Sequence, residues 1–307
     1  MFEELLSGIF HQNGLTDAEA KQQQYVKQLR PYGKDLWQSY RQQDVTVDYS
    51  QAETQEAYLL RYFPSYTLPV EKELDALREK GHTLPEVELL DVCFFGCGPG
   101  PELIGLIKHL RNSNAKTTML TVKMVDVASE TWSHSREIVQ NFLAEPFWDP
   151  GLLEIQSITA SLSDTQAIEE IHLEGCHFAV IQNCLNEVPR KDVVENIMNA
   201  FSKLLPGAIA LVIERANYHA TKNMLKQMAL ASADKRYERL TLISELVRKK
   251  ISCEGMLNGV PDIIDNNLYY TDVRGKSEAE MNGLIYAKEI DNICIAFQVG
   301  DLPTDKS

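Results

Sequence analysis

The sequence lacks the features that mark several large classes of protein. Its 307 residues contain no apolar run that approaches the roughly 20 residues of a membrane-spanning helix. None of the six cysteines forms a Cys-x-x-Cys pair, and their spacing matches no zinc-binding pattern. The N-terminus carries two early acids and lacks the basic start of a signal peptide. We therefore expect a cytoplasmic protein with buried free thiols, no metal and no membrane partner.

The charge balance is acidic overall, with one local exception. The formal net charge of -14 disfavours nonspecific binding to nucleic acid over the whole surface. Residues 222–250, however, hold eight Lys and Arg residues against three Asp and Glu residues. This segment could meet the phosphates of RNA or a carboxylated substrate, or it could be a solvated face of an acidic protein. The sequence leaves both interpretations open.

Two kinds of pattern divide the chain. Residues 1–85 form short amphipathic segments broken by proline and glycine, which predicts a helical N-terminal extension or cap. Residues 86–300 alternate short apolar runs with helical patterns, which predicts βαβ units and a parallel sheet. Strands are expected near residues 87–95, 118–126, 152–158, 177–183 and 208–214. Helices are expected near residues 101–112, 129–144, 164–172 and 190–204.

The last third of the chain predicts three further segments. Residues 216–252 read as a long helical insertion. The apolar runs LIYAKEI and ICIAFQV follow, and a tight turn at Asp291-Asn292 between them predicts an antiparallel pair. Residues 301–307 are expected to form a loose tail.

A glycine-rich loop follows the first predicted strand and precedes a helix. Residues 94–106 read FFGCGPGPELIGL. A helix start presents free N–H groups and the positive end of a dipole, and glycines let a ligand approach the backbone closely. A carboxylate, a ribose or a phosphate would find hydrogen-bond donors there. The loop lies at the sheet edge where open α/β sheets bind ligands. The loop therefore predicts a small-molecule site at Gly96, Cys97, Gly98 and Gly100.

Two nucleotide-binding patterns do not match this loop. The dinucleotide fingerprint G-x-G-x-x-G, started at Gly96, needs a glycine where the chain has Pro101. The phosphate loop G-x-x-x-x-G-K-[ST] is absent as well. A nicotinamide-dependent oxidoreductase is therefore disfavoured, and the pattern that remains is G-x-G-x-G.

The motif GCGPG after a hydrophobic strand resembles the first motif of class I S-adenosylmethionine-dependent methyltransferases. The second strand ends in Asp126, and the segments FAVIQNCLNEVP and LLPGAIALVIE resemble later motifs of that superfamily in the same order. The resemblance covers about residues 87–299. It implies an α/β fold: a seven-stranded, mostly parallel sheet with an antiparallel last strand, helices on both faces and a helical N-terminal extension. It also implies S-adenosylmethionine as the cofactor.

The resemblance assigns cofactor contacts beyond the glycine loop. Asp126, with Val127 beside it, would hold the ribose hydroxyls, because a carboxylate can accept two hydroxyl protons at once. Ala160 and Ser161 would form the wall against adenine. Asn183, at the end of the fourth strand, would lie near the methyl group.

The same resemblance points to residues on the acceptor side. Asn186 and Glu187 follow the fourth strand and are expected to be catalytic, with Glu187 as a general base or as a group that orients an amine. Capping of the next helix is the alternative for this pair. Tyr62 and Tyr66 are expected to contact substrate, or else to pack on the sheet. The N-P-P-Y and P-C motifs are absent, so Cys184 is not a nucleophile.

The sequence thus predicts a methyltransferase that acts on an O, N or S atom, with a small-molecule acceptor favoured by the acidic charge and the helical cap. One alternative is an RNA or protein methyltransferase that uses residues 216–252. Another is a non-catalytic binding or scaffold protein. Phe94 motivates the latter, because it stands two positions before the first glycine, where the superfamily usually has an acid. The segment SITASLSD also lacks an acid at the adenine wall.

Overall fold

A seven-stranded sheet forms the centre of the protein. The computed structural model describes residues 1–16, 18–40, 42, 47–113, 115–149, 151–188, 192–268 and 288–301. The first five strands lie within two residues of their predicted bounds. The strands are β1 (Leu89–Phe95), β2 (Met119–Asp126), β3 (Leu152–Thr159), β4 (Phe178–Gln182), β5 (Ile209–Arg215), β6 (Leu240–Ser252) and β7 (Glu289–Val299).

The strands lie in the order β3-β2-β1-β4-β5-β7-β6. Strands β1 to β5 are parallel, and β7 runs antiparallel to both β5 and β6. This confirms the predicted α/β fold with a mostly parallel sheet and an antiparallel last strand. The chain order reverses between β1 and β4, so the carboxyl ends of these two strands open a crevice at the edge where such sheets bind ligands.

Helices precede the sheet and connect its strands. The N-terminal extension is helical, as predicted, and consists of α1 (Phe2–Gln12), α2 (Glu19–Gln28), α3 (Arg30–Ser39), α4 (Ala52–Arg61), α5 (Phe63–Tyr66) and α6 (Leu68–Glu79). The connecting helices are α7 (Pro101–Asn112), α8 (Ser133–Val139), α9 (Glu145–Phe147), α10 (Thr165–Glu169), α11 (Val193–Ser202) and α12 (His219–Ala231). A π-helical turn at Gln140–Ala144 continues α8, and the short helices α13 (Glu254–Leu257) and α14 (Asp262–Asn267) follow β6.

Two apolar cores cover the two faces of the sheet. Alternate residues of a strand point to opposite faces, so Val92 and Phe94 face one core while Cys93 and Phe95 face the other. The first core contains the N-terminal helices with α7 and α8, and the second contains α10, α11 and α12. Strands covered on both faces must be apolar almost throughout, which is why their positions could be predicted. All six cysteines are free and buried in these cores, as expected.

Residues 216–252 do not form the long helical segment that the sequence suggests. Helix α12 ends at Ala231, and residues 240–252 form β6 instead. The segment RLTLISELVRKK is rich in good helix formers, which misled the prediction. Pairing with β7 over the whole length of β6, from Leu240 opposite Val299 to Ser252 opposite Glu289, outweighs that weak local preference.

Four of the eight basic residues in positions 222–250 form ion pairs. Arg236 lies between Asp234 and Glu195. Three cations of β6 each pair with an acid: Arg248 with Asp291, Lys249 with Glu73 and Lys250 with Glu289. These pairs compensate half of the positive charges that motivated an RNA or protein partner.

The predicted tight turn at Asp291-Asn292 is also wrong. Both residues lie inside β7, where Asn292 is opposite Arg215 of β5 and Lys249 of β6. The side chain of Asn292 is 1% exposed. Because both neighbouring strands hold its backbone, β7 runs straight through these two polar residues. Residues 284–287 of the first predicted run and 302–307 of the predicted tail lie outside the described residues.

Candidate functional site

A cavity of about 500 Å³ opens at the carboxyl edge of the sheet. Its volume is typical of a small-molecule site. One side is built from residues that follow the ends of β1 to β5, and tyrosines of the N-terminal extension form the other side. The N-terminal extension therefore contributes to the wall of the crevice that the strand order creates.

Gly96 and Gly98 form part of the cavity wall because neither position has room for a side chain. Their φ angles are +61° and +50°, in the left-handed region. A Cβ on Gly96 would lie 2.5 Å from Sγ of Cys184, and one on Gly98 would lie 3.3 Å from the Trp132 ring. Cys97 lines the cavity between the two glycines. The loop thus presents bare backbone to whatever occupies the cavity.

Gly100 has a different part in the loop. It is the N-cap residue of α7, with a φ of +85°, and a Cβ there would lie 2.5 Å from Cε of Met124. Its close neighbour is thus a core side chain, and it is not among the residues that line the cavity. The structure therefore gives Gly100 a packing role beside the site.

Asp126, at the end of β2, holds the glycine loop in place. Its Oδ2 accepts a hydrogen bond of 2.9 Å from the backbone N–H of Gly98, and its Oδ1 accepts one of 2.8 Å from that of Ala128. Each carboxylate oxygen keeps a further lone pair, and the residue lines the cavity. Asp126 is therefore able to bind a ligand hydroxyl while it supports the loop.

A buried arginine fixes the same loop from the other side. Arg136 of α8 donates from Nε to the carbonyl of Gly98 at 2.8 Å and from Nη1 to the hydroxyls of Ser129 at 2.6 Å and Ser157 at 2.9 Å. No local sequence pattern indicates this contact, because Arg136 lies 38 residues from Gly98. Val127, Ala160 and Ser161 complete this side of the cavity.

The end of β4 contributes the most polar part of the wall. Asn183 has a φ of 55°, which is uncommon outside glycine, and both polar atoms of its side chain are buried without a partner among the described residues. Asn183, Asn186 and Glu187 all line the cavity. An unsatisfied buried amide at this place is suited to a ligand that offers both a donor and an acceptor.

Glu187 has a carboxyl group with a raised pKa. Glu187 is an exposed residue, and it lies among the residues that line the cavity. Burial, and secondly the charge of Asp126, raise the pKa of Glu187 to about 7. A group with such a pKa takes up and releases protons readily near neutral pH, which suits a general base.

Glu214 of β5 supports the backbone that carries these residues. Its Oε1 accepts hydrogen bonds from the N–H groups of Cys184 at 3.0 Å and Leu185 at 2.9 Å, and the side chain is fully buried. Burial raises the pKa of Glu214 to about 8, although the two N–H groups act in the opposite direction. The loop after β4 therefore depends on a carboxyl group that is largely neutral at pH 7.

We expect Glu214→Ala to lower the free energy of unfolding by about 2–4 kcal/mol, because it leaves two buried N–H groups without an acceptor. Glu214→Gln keeps a carbonyl oxygen and should fold with near-normal stability. The raised pKa makes wild-type stability fall as pH rises from about 4.5 through about 8, while Glu214→Gln lacks this slope. Urea unfolding at pH 5 and pH 8 measures both effects. Equal stability of the two variants at both pH values would contradict this role.

Aromatic side chains form the wall opposite the glycine loop. Tyr40, Tyr49, Tyr58 and Tyr66 of the N-terminal extension line the cavity together with Tyr218. The hydroxyls of Tyr40 and Tyr49 hydrogen-bond to each other, and that of Tyr218 donates to the Tyr40 carbonyl at 2.6 Å. Burial raises the pKa of the Tyr40, Tyr49 and Tyr58 phenols, so they remain protonated.

Of the two predicted substrate tyrosines, only Tyr66 lines the cavity. Tyr62 lies behind it, with its ring edge-on to Tyr40 at a centroid distance of 5.0 Å and tilted against Tyr66 at 5.9 Å. It thus packs within the tyrosine wall rather than on the ligand side.

Glu102 places a carboxyl group in the cavity wall, whereas Phe94 does not. The Phe94 ring is fully buried against Phe178, so this position brings no charge to the site. Glu102, in the first turn of α7, lines the cavity and receives Nε2 of Gln182 at 3.4 Å on Oε1, while its Oε2 is buried without a partner among the described residues. Burial raises the pKa of Glu102 well above its ordinary value.

The structure brings most of the predicted site residues together. Those that line the cavity are Gly96, Cys97, Gly98, Asp126, Val127, Ala160, Ser161, Asn183, Asn186, Glu187 and Tyr66. The cavity is also lined by residues that were not predicted: Trp132, Gln182, Arg215 and the tyrosines at positions 40, 49 and 218. Arg215 had a usable signal, because Glu214-Arg215 places two charges directly at the carboxyl end of an apolar strand.

In the part of the chain that the structure describes, no group of His, Cys, Asp and Glu side chains is arranged to hold a metal ion. Nor does any helix in that part have the length and apolar character needed to cross a bilayer.

Comparison with known proteins adds similarities of fold at low identity. No protein-family model matches the chain, and no curated protein matches it. A putative rRNA-methylase from Clostridium thermocellum is 10% identical over 76% of this chain and 97% of its own, with a TM-score of 0.42. A SAM-dependent methyltransferase from Methanosarcina mazei is 14% identical over 73% of this chain and 97% of its own, with a TM-score of 0.41. The fold is assigned here from the strand order and the glycine loop.

Proposed function

We propose that this chain, which has the fold of the class I S-adenosylmethionine-dependent methyltransferases, binds S-adenosylmethionine and transfers its methyl group to a small-molecule acceptor. The observation that carries the proposal is the pairing of Asp126 with the Gly98 N–H at the carboxyl edge of the sheet. This contact joins the two features, glycine loop and strand-end acid, that the sequence resemblance assigned to one cofactor.

The residues present fit this cofactor. Gly96 and Gly98 line the cavity with backbone alone. Asp126 keeps lone pairs for the ribose hydroxyls, and Ala160 and Ser161 follow the neighbouring strand, where the adenine would lie. The partnerless amide of Asn183 offers a donor and an acceptor toward the reacting end.

Glu102 suits the ammonium group of the methionine part. Its carboxyl is buried, lines the cavity and has one oxygen without a partner among the described residues. A bound ammonium would supply the missing partner and would lower the raised pKa of this carboxyl. On this proposal, Glu102 replaces the acid that the chain lacks at Phe94.

Bound S-adenosylmethionine supplies an electrophilic methyl group on a sulfonium. The chain's own part is mainly to hold the accepting atom in line with that methyl group, since positioning provides most of the rate in such a displacement. The tyrosine wall excludes water from the cavity. Glu187, with a pKa of about 7, accepts the proton of an O–H or N–H acceptor.

Transfer of labelled methyl groups tests the proposal. The protein is incubated with methyl-labelled S-adenosylmethionine and either the low-molecular-weight filtrate or the macromolecular fraction of a cell extract. We expect label to enter the filtrate, because the cations of β6 are paired with acids and provide no free basic face. Label in RNA or protein would instead favour the macromolecular alternative. Cofactor binding with no transfer into either fraction would favour the non-catalytic alternative.

We expect the methyl-transfer rate to rise with pH up to about 7 and then level off, because Glu187 acts as a base only when ionised. Glu187→Gln should lower the rate by about 10²–10⁴-fold and remove this dependence. Glu174→Gln, at an exposed acid that does not line the cavity, is the matched control. A Glu187→Gln enzyme with the wild-type rate and pH profile would rule out a base at this position.

A further inference from the structure

The described part of the cavity wall carries one positive charge. Arg215, the last residue of β5, is the only Lys or Arg among the described residues that line it. The side chain is partly buried, and its Nη1 donates to the hydroxyl of Tyr66 at 3.3 Å. Tyr66 is a neutral partner, so this contact orients the guanidinium without compensating its charge.

The neighbouring acids are committed elsewhere. Glu214 precedes Arg215 in β5 and points to the opposite face, where it binds the N–H groups of Cys184 and Leu185. Asp291, on the neighbouring strand β7, receives both Nε and Nη2 of Arg248, so its charge acts on Arg215 only from beyond ion-pair distance. Among the described residues, no carboxylate lies within the 4.0 Å of an ion pair with Arg215.

A cation held in a cavity wall without a counter-ion is costly unless something compensates it. The guanidinium keeps most of its five N–H donors available after the single bond to Tyr66. Its planar fork matches the two oxygens of a carboxylate, which it can bind through two parallel hydrogen bonds. The missing partner of Arg215 is therefore most simply an anionic group of the ligand.

We infer that the methyl acceptor is an aromatic or similarly flat monocarboxylic acid whose carboxylate binds Arg215. The single positive charge matches one negative charge. A phosphate dianion would face the carboxyl groups of Asp126 and Glu187 in the same cavity, and the described lining residues include no second cation to balance it. The rings of Tyr40, Tyr49, Tyr58 and Tyr218 provide the flat apolar surfaces for the body of such an acid.

This inference rests on the proposed function, because it names the carboxylic acid as the methyl acceptor. Binding of the acid can nevertheless be measured without turnover. The probes are 4-hydroxybenzoate, its neutral amide 4-hydroxybenzamide and phenyl phosphate. Each is titrated by calorimetry into the protein alone and into the protein saturated with S-adenosylhomocysteine. We expect 4-hydroxybenzoate to bind at least tenfold more tightly than the amide and more tightly than phenyl phosphate.

The variants separate the role of Arg215 from a loss of folding. Arg215→Gln should weaken 4-hydroxybenzoate binding at least tenfold and leave amide binding unchanged. Arg215→Lys keeps the charge but not the planar guanidinium, so its affinity for 4-hydroxybenzoate should lie between those of the wild type and Arg215→Gln. Arg236→Gln, at an exposed arginine that does not line the cavity, is the control. Unchanged thermal melting and S-adenosylhomocysteine binding show that the Arg215 variants are folded.

Three results would overturn the inference: equal binding of the acid and the amide, tighter binding of phenyl phosphate, or wild-type affinity for the acid in Arg215→Gln. Failure of the proposed function looks different. In that case S-adenosylhomocysteine does not bind, but 4-hydroxybenzoate still binds to the protein alone and still depends on Arg215. The cavity would then be a carboxylate-binding site in a protein that is not a methyltransferase.

Discussion

Gly96→Ala is expected to lower the free energy of unfolding by about 2–5 kcal/mol. Two physical effects add. A left-handed backbone costs a residue with a Cβ about 1–2 kcal/mol, and Gly96 has a φ of +61°. The new Cβ would also lie 2.5 Å from Sγ and 2.7 Å from Cβ of Cys184, and overpacking of this kind costs about 1–3 kcal/mol. Urea unfolding followed by circular dichroism measures the sum.

Gly81→Ala is the matched control for this prediction. Gly81 has a φ of +87° at the end of α6, but a Cβ there would meet nothing within 4 Å. The control therefore carries the backbone strain without the collision, and it should destabilise by about 1–2 kcal/mol only. If both variants lost the same stability, the close approach of Cys184 to the glycine loop would not be present in solution.

Asp126→Ala is expected to weaken S-adenosylmethionine binding at least tenfold, which corresponds to about 1.4 kcal/mol or more. The change removes the proposed acceptor of the ribose hydroxyls. It also releases the N–H groups of Gly98 and Ala128, so the cradle that the cofactor meets becomes less ordered. Asp126→Asn keeps one acceptor oxygen and should lose less affinity for S-adenosylmethionine than Asp126→Ala. Equilibrium dialysis with labelled cofactor measures the three affinities.

The control for Asp126 is an aspartate with a similar backbone contact outside the cavity. Asp164 accepts a hydrogen bond of 3.1 Å from the N–H of Ala167 and caps α10. Asp164→Ala should remove that cap and leave cofactor affinity unchanged. Comparable losses of affinity in both variants would show that Asp126 acts through general stability rather than through contact with the cofactor.

The strands and the glycine loop were predictable because their causes are local. Strands buried on both faces must be apolar over nearly their whole length, and the runs Phe178–Gln182 and Ile209–Arg215 are buried at almost every position. Three glycines at a strand–helix junction likewise follow from the left-handed φ angles and the tight contacts of that loop. These features could therefore be predicted without knowledge of distant neighbours.

The errors arise where distant residues decide the outcome. Residues 240–252 have good helix formers, yet β7 is available to pair with them along their whole length. Asp291 and Asn292 are typical turn residues, yet strands on both sides keep them extended. In the site, the hydrogen bond from Tyr218 to the Tyr40 carbonyl joins residues 178 positions apart. No local pattern indicates such contacts.

The most direct test of the central claim is calorimetric titration of the wild-type protein with S-adenosylhomocysteine, the product that any S-adenosylmethionine-dependent methyl transfer leaves behind. The cavity beside Gly96, Gly98 and Asp126 predicts one-to-one binding with a dissociation constant on the order of micromolar, near -8 kcal/mol. Absence of binding at millimolar ligand would contradict the account, and the glycine loop would then be a feature of the fold without a cofactor.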